Sequence, residues 1–219
     1  INSIKNISFY WMKQGKTSKV WMREHVSDFY VKQAKKQGYR SRAAYKLLEI
    51  AERDQLIKPN MTVVDLGAAP GSWSQVVRRI MGDHGLVVAL DILDMAPLPG
   101  VEFIQDDFRE ESAVSKLKEK LGNNQPDLVI SDMAPNISGI VTNDQAKSMY
   151  LAELALLFAV EQLNLDGNFL VKVFQGSEFD SYLCEMRSLF KNVLIRKPKA
   201  SRNRSNELYL LGMKKINKL

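Results

Sequence analysis

From Met61 onward the apolar positions fall into short runs separated by turn residues. MTVVDLG reads as a buried strand closed by Gly67 and the Pro70-Gly71 pair, and a helix follows over about 72–81. GLVVALD and VEFIQDD repeat the pattern as second and third strands. A charged helix is expected from about Glu110 to Leu121, then DLVISDMAP as a fourth strand. A long helix from Asn143 to Leu163 leads into NFLVKVF, the fifth strand, and another helix covers Phe179 to Phe190. The last two apolar runs, NVLIRKP and NELYLLGM, are joined by a basic loop with no helix between them.

Strands that alternate with helices require a parallel sheet covered on both faces, whereas two strands joined without a helix pair antiparallel. The expected fold is therefore α/β: an open, mostly parallel seven-stranded sheet with an antiparallel C-terminal hairpin. Ligands in such sheets bind beyond the carboxyl ends of the strands, where strand order reverses. Upstream, residues 20–38 have a helical period, with Lys32, Lys35 and Lys36 on one side and a stop at Gly38. Residues 41–54 read as an amphipathic helix capped by Ser41, with Ala44, Leu47, Leu48 and Ala51 facing inward. Residues 1–18 carry no period and are expected to form a disordered extension, with Met12 as a natural start.

Charge adds a second layer. Residues 1–40 hold nine lysines and arginines against two acids, and residues 191–219 hold nine against Glu207 alone. The stretch between them is acidic. An acidic body with two basic ends suits a polyanion docking on a limited surface. The single cysteine, Cys184, excludes an internal disulfide framework and is expected in the core. The longest apolar run contains Glu153 and is too short to cross a bilayer, so a soluble cytoplasmic protein is expected. Nothing demands a dimer, and His25 and His84 lack ligand partners at metal-binding spacing.

Candidate chemistry collects at strand ends. The loop Gly67-Ala-Ala-Pro70-Gly71-Ser-Trp73 brings backbone close to a ligand and opens a helix. Asp91, twenty residues past Gly71, ends the second strand, where an acid can accept both hydroxyls of an adenosine ribose. Asp106, Asp107 and Phe108, at the end of the third, offer an acceptor for an adenine amino group and an apolar face for its ring. Pro70 removes an N–H from the place a pyrophosphate would occupy, and the spacing is GxxPG rather than GxGxxG. An adenosyl ligand without phosphates fits better than a dinucleotide, which argues against a nicotinamide-dependent oxidoreductase. Trp73, Tyr150 and Phe174 are assigned to core or cofactor wall.

Lys172 lies inside the fifth strand, where an unpaired ammonium would be costly, and Asp132 ends the fourth. Lys46, on the helix before the first strand, and Glu207, opening the last, can complete a set of two cations and two anions. A purely structural buried network is the other reading of that set.

The segments SRAAYK, VVDLGAAPGSWSQ, SDMAPNISG, MYLAELAL, VKVFQG, RSLF and SRNRSNELY resemble the FtsJ/RrmJ family of bacterial 23S ribosomal RNA (uridine-2′-O)-methyltransferases, over about residues 20–213. The resemblance implies a Rossmann-like class I methyltransferase domain over 41–219, preceded by a basic helix or arm over 19–40. It implies S-adenosyl-L-methionine as cofactor, held through Gly71, Trp73, Asp91, Asp107 and Asp132. It also implies a catalytic tetrad of Lys46, Asp132, Lys172 and Glu207, with Lys172 taking the proton of the ribose hydroxyl. A Lys172 that stays protonated and steadies the developing alkoxide is equally open. No metal is called for.

The implied partner is 23S rRNA in the assembled large subunit, met by a monomer that uses neither DNA nor a membrane. Phosphate contacts are expected from Lys32, Lys35, Lys36 and Arg40 at one end of the chain and from Arg196, Lys197, Lys199, Arg202 and Arg204 at the other. Two rival readings are the same chemistry on transfer RNA and a non-catalytic ribosome-assembly factor on this fold.

Overall fold

The computed structural model describes residues 29–136, 138–202 and 205–217. Expectations for residues 1–28 and for Arg204 lie outside them. Seven strands form one sheet in the order β3-β2-β1-β4-β5-β7-β6: β1 Thr62–Leu66, β2 Leu86–Asp91, β3 Glu102–Gln105, β4 Leu128–Ser131, β5 Asn168–Phe174, β6 Phe190–Arg196 and β7 Glu207–Lys215. β1 to β5 run parallel, and β7 lies antiparallel between β5 and β6. Strand order reverses between β1 and β4, so the crevice beyond Leu66 and Ser131 is the topological switch point.

The helices are α1 over the described residues 29–37, α2 Ala44–Asp54, α3 Ser72–Met81, α4 Glu111–Leu121, α5 Val141–Gln162 and α6 Phe179–Leu189. The helices expected over 72–81, 110–121, 143–163 and 179–190 are present within two residues of those ends, α2 begins three residues after its expected start, and the start of the helix expected over 20–38 lies outside the described residues. One face of the sheet packs Val64, Leu66, Val129, Phe169 and Val171 against α4, α5 and α6. The other packs Val63, Ile130, Leu170, Tyr209 and Leu211 against α2 and α3. No described helix is long and apolar enough to cross a membrane.

The strand period of two decides what reaches the site. Leu170 and Leu211 face α2 and α3, so Lys172, two residues beyond Leu170, and Glu207 and Tyr209, which alternate with Leu208 and Leu210, lie on that same face. Lys172 and Tyr209 are direct partners across the β5–β7 pair, and Phe174 is the partner of Glu207. Ile130 carries the same alternation to Asp132, and Val63 carries it to Asp65. One sheet face, roofed by α2 and α3, thus collects the ionisable groups near the switch point.

Three local expectations are corrected. Cys184 is exposed, because α6 buries Phe179, Tyr182, Leu183, Met186 and Leu189 and turns position 184 outward. Ser41 does not cap α2: the helix begins later, after Ala43, and the Ser41 hydroxyl accepts from Ala43 N within a tight lead-in turn. Tyr150 stands half exposed on α5 rather than in the core.

Candidate active site

Between β1 and α3 the chain turns at Gly67 (φ 77°) and Gly71 (φ 98°), a backbone region that glycine alone enters freely. A Cβ on Gly67 would lie 2.7 Å from Met133 Cγ, and one on Gly71 would lie 2.6 Å from Arg40 Nη1 and 2.7 Å from Met95 Sδ. The loop is therefore fitted closely between the β4 mouth and the segment after β2. Asp91 closes the cradle's far side: Oδ2 accepts from Ala69 N at 2.9 Å and Oδ1 from Leu93 N at 2.8 Å. These bonds fix the carboxylate while leaving each oxygen further acceptor capacity toward the crevice.

Asp65, Asp91 and Asp132 all sit at adjacent strand ends around the loop. Asp65 is fully buried, with Oδ2 bonded to Ser74 Oγ at 2.6 Å and Oδ1 without a hydrogen-bond partner among the described residues. Burial pushes its carboxyl up to about 7, and the neighbouring Asp132 and Asp91 charges add to the rise that Ser74 opposes. A crevice rimmed by carboxylates, with Pro70 in place of an N–H, suits a cationic nucleoside far better than a phosphate.

Two expected cofactor contacts take a different form. Phe108 is buried and packs nearly perpendicular to Phe158, ring centroids 5.8 Å apart in the core, so little of its ring is open to the crevice. The exposed apolar side chains near Asp91 are instead Ile92 and Leu93. Trp73 is likewise buried, with Nε1 donating to Ala43 O at 3.0 Å, so its offering at the helix N-terminus is main chain. Asp107 accepts a bidentate interaction from Arg109, whose hydrogen bonds hold its carboxyl below the usual range. Asp106 is similarly held by Lys116 at 2.8 Å.

The four expected catalytic residues come together, and a fifth joins them. Lys172 Nζ lies 2.6 Å from Asp132 O and 3.1 Å from Asp132 Oδ1. The same Oδ1 accepts from Tyr209 OH at 2.9 Å. Tyr209 OH in turn accepts from Lys46 Nζ at 3.0 Å, and Lys46 pairs with Glu207 Oε1 at 2.7 Å. Ser201 Oγ donates to that Glu207 oxygen at 2.7 Å. The result is an unbroken polar chain, Lys172–Asp132–Tyr209–Lys46–Glu207, with opposite charges adjacent within each ion pair and a neutral phenol joining the two pairs. Burial, then the Asp132 and Glu207 carboxylates, push the Tyr209 hydroxyl well above its ordinary value, so it stays a neutral donor and acceptor.

Tyr209 escaped the sequence reading because an aromatic in a buried strand reads as packing. The usable signal was its place two residues after Glu207, on the same strand face. Arg42 also went unnoticed: it donates to Ala200 O and lies near Glu207 and Arg202.

The basic residues divide into two groups. Lys32, Lys35, Lys36, Lys199 and Arg202 have exposed side chains. Arg196 instead forms a bidentate pair with Asp54, at 2.8 and 2.6 Å, and both side chains are largely buried. Lys197 Nζ donates to the carbonyls of Ser205 and Glu207, which folds the loop back toward the polar chain. Arg40 is similarly engaged by main-chain carbonyls.

Residues 39–215 match the family model described as FtsJ-like methyltransferase. The chain is 65% identical over 204 residues to the ribosomal RNA large subunit methyltransferase E of Nitrosospira multiformis, covering 93% of this chain and 99% of that one. It is 60% identical over 205 residues to the protein of the same name from Nitrosomonas europaea, covering 94% and 100%. Among solved structures, a ribosomal RNA methyltransferase of Plasmodium falciparum superposes with a TM-score of 0.75 at 30% identity, over 82% of this chain and all of that one.

Proposed function

Starting from its membership of the FtsJ-like methyltransferase family, to which the chain belongs, we propose that this enzyme methylates the 2′-hydroxyl of a uridine ribose in 23S rRNA, in the assembled large subunit and in the cytoplasm. The observation that carries the reading is the polar chain ending at Lys172 and Asp132, directly beside the Gly67–Gly71 cradle. S-adenosyl-L-methionine suits that cradle on three grounds: its cationic groups match the carboxylates, its ribose matches Asp91, and it needs no pyrophosphate donor at Pro70.

When bound, the cofactor supplies an electrophilic methyl on a sulfonium, so that the new O–C bond forms as the C–S bond breaks and sulfur keeps the electron pair. The protein's part is placement and proton management. Holding oxygen, methyl and sulfur in line can contribute on the order of 7–11 kcal/mol. Asp132 occupies two of the three directions around Lys172 Nζ, through its carbonyl and its carboxylate, which leaves one for the ribose hydroxyl. A neutral Lys172 takes the hydroxyl proton as the oxygen attacks. A charged one directs the hydroxyl and steadies the alkoxide while water takes the proton. Tyr209, Lys46 and Glu207 keep Asp132 and Lys172 from swinging. Exposed Lys35, Lys36, Lys199 and Arg202 contact phosphates and supply affinity and register.

The test is transfer of labelled methyl from S-adenosylmethionine to purified large subunits, intact ribosomes, protein-free 23S RNA and transfer RNA, with Lys172→Ala alongside. Label at one ribose of the large subunit, absent with Lys172→Ala although that variant binds cofactor, is the expected result. Label on transfer RNA alone would overturn the substrate, and no label anywhere from a cofactor-loaded protein would favour an assembly factor. A rising limb in the pH–rate profile that Lys172→Arg abolishes marks the proton-acceptor role; a flat profile marks the electrostatic one.

A further inference from the structure

Arg40 sits at the tip of the turn that joins basic helix α1 to α2. Its guanidinium, at a partly exposed position, is turned onto main-chain carbonyls. Nη1 donates to Pro70 O at 2.9 Å and to Ala96 O at 2.7 Å, and Nη2 donates to Pro97 O at 2.7 Å. Pro70 belongs to the cradle after β1, while Ala96 and Pro97 belong to the segment that follows Asp91 at the end of β2. The cofactor would lie across these two loops, with its amino-acid end toward the first and its ribose toward the second. The same guanidinium lies over Gly71, where a Cβ would come within 2.6 Å of Nη1.

The turn itself is fastened down. Gln75 accepts from Arg40 N at 3.0 Å and donates to Gly38 O at 2.6 Å. Arg79 donates to Gln37 O and Gly38 O and stacks over the Tyr39 ring at 4.2 Å. Ser41 and Ser72 share a hydroxyl–hydroxyl bond of 2.7 Å. Arg40 is thus held at its backbone by α3 while its planar fork gathers three carbonyls from two loops.

We propose that Arg40 is a positioning residue of the cofactor site: a clamp that sets the spacing between the loop after β1 and the loop after β2. This rests on the cofactor reading above. Without the guanidinium, water takes its place at the three carbonyls and no single group fixes the spacing of the two loops. Cofactor affinity then falls even when no RNA is present, which a phosphate-contacting arginine would not cause. The clamp also joins the cradle to the end of the basic helix, so a load on α1 is felt at the cofactor loop.

The experiment is calorimetric titration of the full chain with S-adenosylhomocysteine, without RNA, for wild type, Arg40→Ala and Arg40→Lys. With three hydrogen bonds lost and partly replaced by water, Arg40→Ala is expected to bind at least about tenfold more weakly. Arg40→Lys, which can reach fewer carbonyls, falls between. In turnover assays the KM for S-adenosylmethionine rises in step, while kcat at saturating cofactor stays within about twofold. If Arg40→Ala folds poorly, Arg40→Lys carries the test through the same KM-against-kcat split. Undiminished cofactor binding by the variants, with weakened RNA binding, would overturn the clamp and leave the cofactor site standing. A wild-type protein that bound no cofactor would overturn both.

Discussion

Replacing Asp65 by asparagine tests whether the buried acids of the crevice behave as their surroundings require. In the cofactor-free protein the Asp65 carboxyl is raised from 3.8 to about 7, chiefly by burial. A carboxyl raised in the folded state holds its proton there while the unfolded chain has already released one. Its contribution is therefore fully present below about pH 4 and is lost as pH climbs toward 7. Each unit of difference is worth about 1.4 kcal/mol, so a shift of roughly three units amounts to about 4 kcal/mol, a large share of the 5–15 kcal/mol that holds a typical domain together. Asparagine keeps an acceptor for Ser74 and cannot ionise. Urea unfolding of both proteins between pH 5 and pH 8, without cofactor, isolates the effect. The stability of wild type relative to Asp65→Asn should fall by about 1.4 kcal/mol per pH unit up to about 7 and then level off. A difference that stayed constant across that range would refute the argument, because it would mean that Asp65 titrates alike in the folded and unfolded chains.

Other perturbations probe the rest of the site. Tyr209→Phe removes the link between the two ion pairs but leaves Lys46 on Glu207 and Lys172 on Asp132; single-turnover rates should drop about 5- to 30-fold, roughly 1–2 kcal/mol, with cofactor Kd within about twofold. Arg196→Ala strips Asp54 of a largely buried bidentate partner and should cost about 2–3 kcal/mol in chemical denaturation while leaving cofactor titrations unchanged. Arg202→Glu should weaken RNA binding and lower the slope of log K against log salt by about 1, and a simultaneous loss of cofactor binding would point to misfolding instead.

Periodicity and turn chemistry were enough to read the sheet, its antiparallel ending and the four helices that follow β1, β3, β4 and β5, because each apolar run there is bounded by Gly, Pro or charge. Lys172 was legible for a related reason: a lysine between Val171 and Val173 contradicts its surroundings, whereas the grouping of all four residues as a catalytic set came from the family resemblance. What stayed hidden depended on side-chain direction. Phe108 follows the strand-end acids in sequence, yet its ring turns into the core, and the exposed Ile92 and Leu93 stand nearer Asp91. Arg40, Arg196 and Lys197 count toward the basic ends like any other cation. Only the fold reveals that carbonyls and Asp54 already occupy them, because a charge tally carries no information about which partners the backbone brings within 3 Å. Cys184 failed by a single helical position, about 100° of rotation from the buried stripe.

The position of β7 has a temporal consequence. It supplies both Glu207 and Tyr209, and it follows the other six described strands in sequence, yet it occupies an interior place in the sheet between β5 and β6. Until it docks, β5 presents an open edge, Lys46 has neither of its partners, and nothing spans the gap from Lys46 to Asp132. A nascent chain can therefore fold its cofactor cradle long before it can complete the polar chain. The polar chain is thus the part of the site that waits on β7, whereas the Gly67–Gly71 loop is set by β1, β2 and β4.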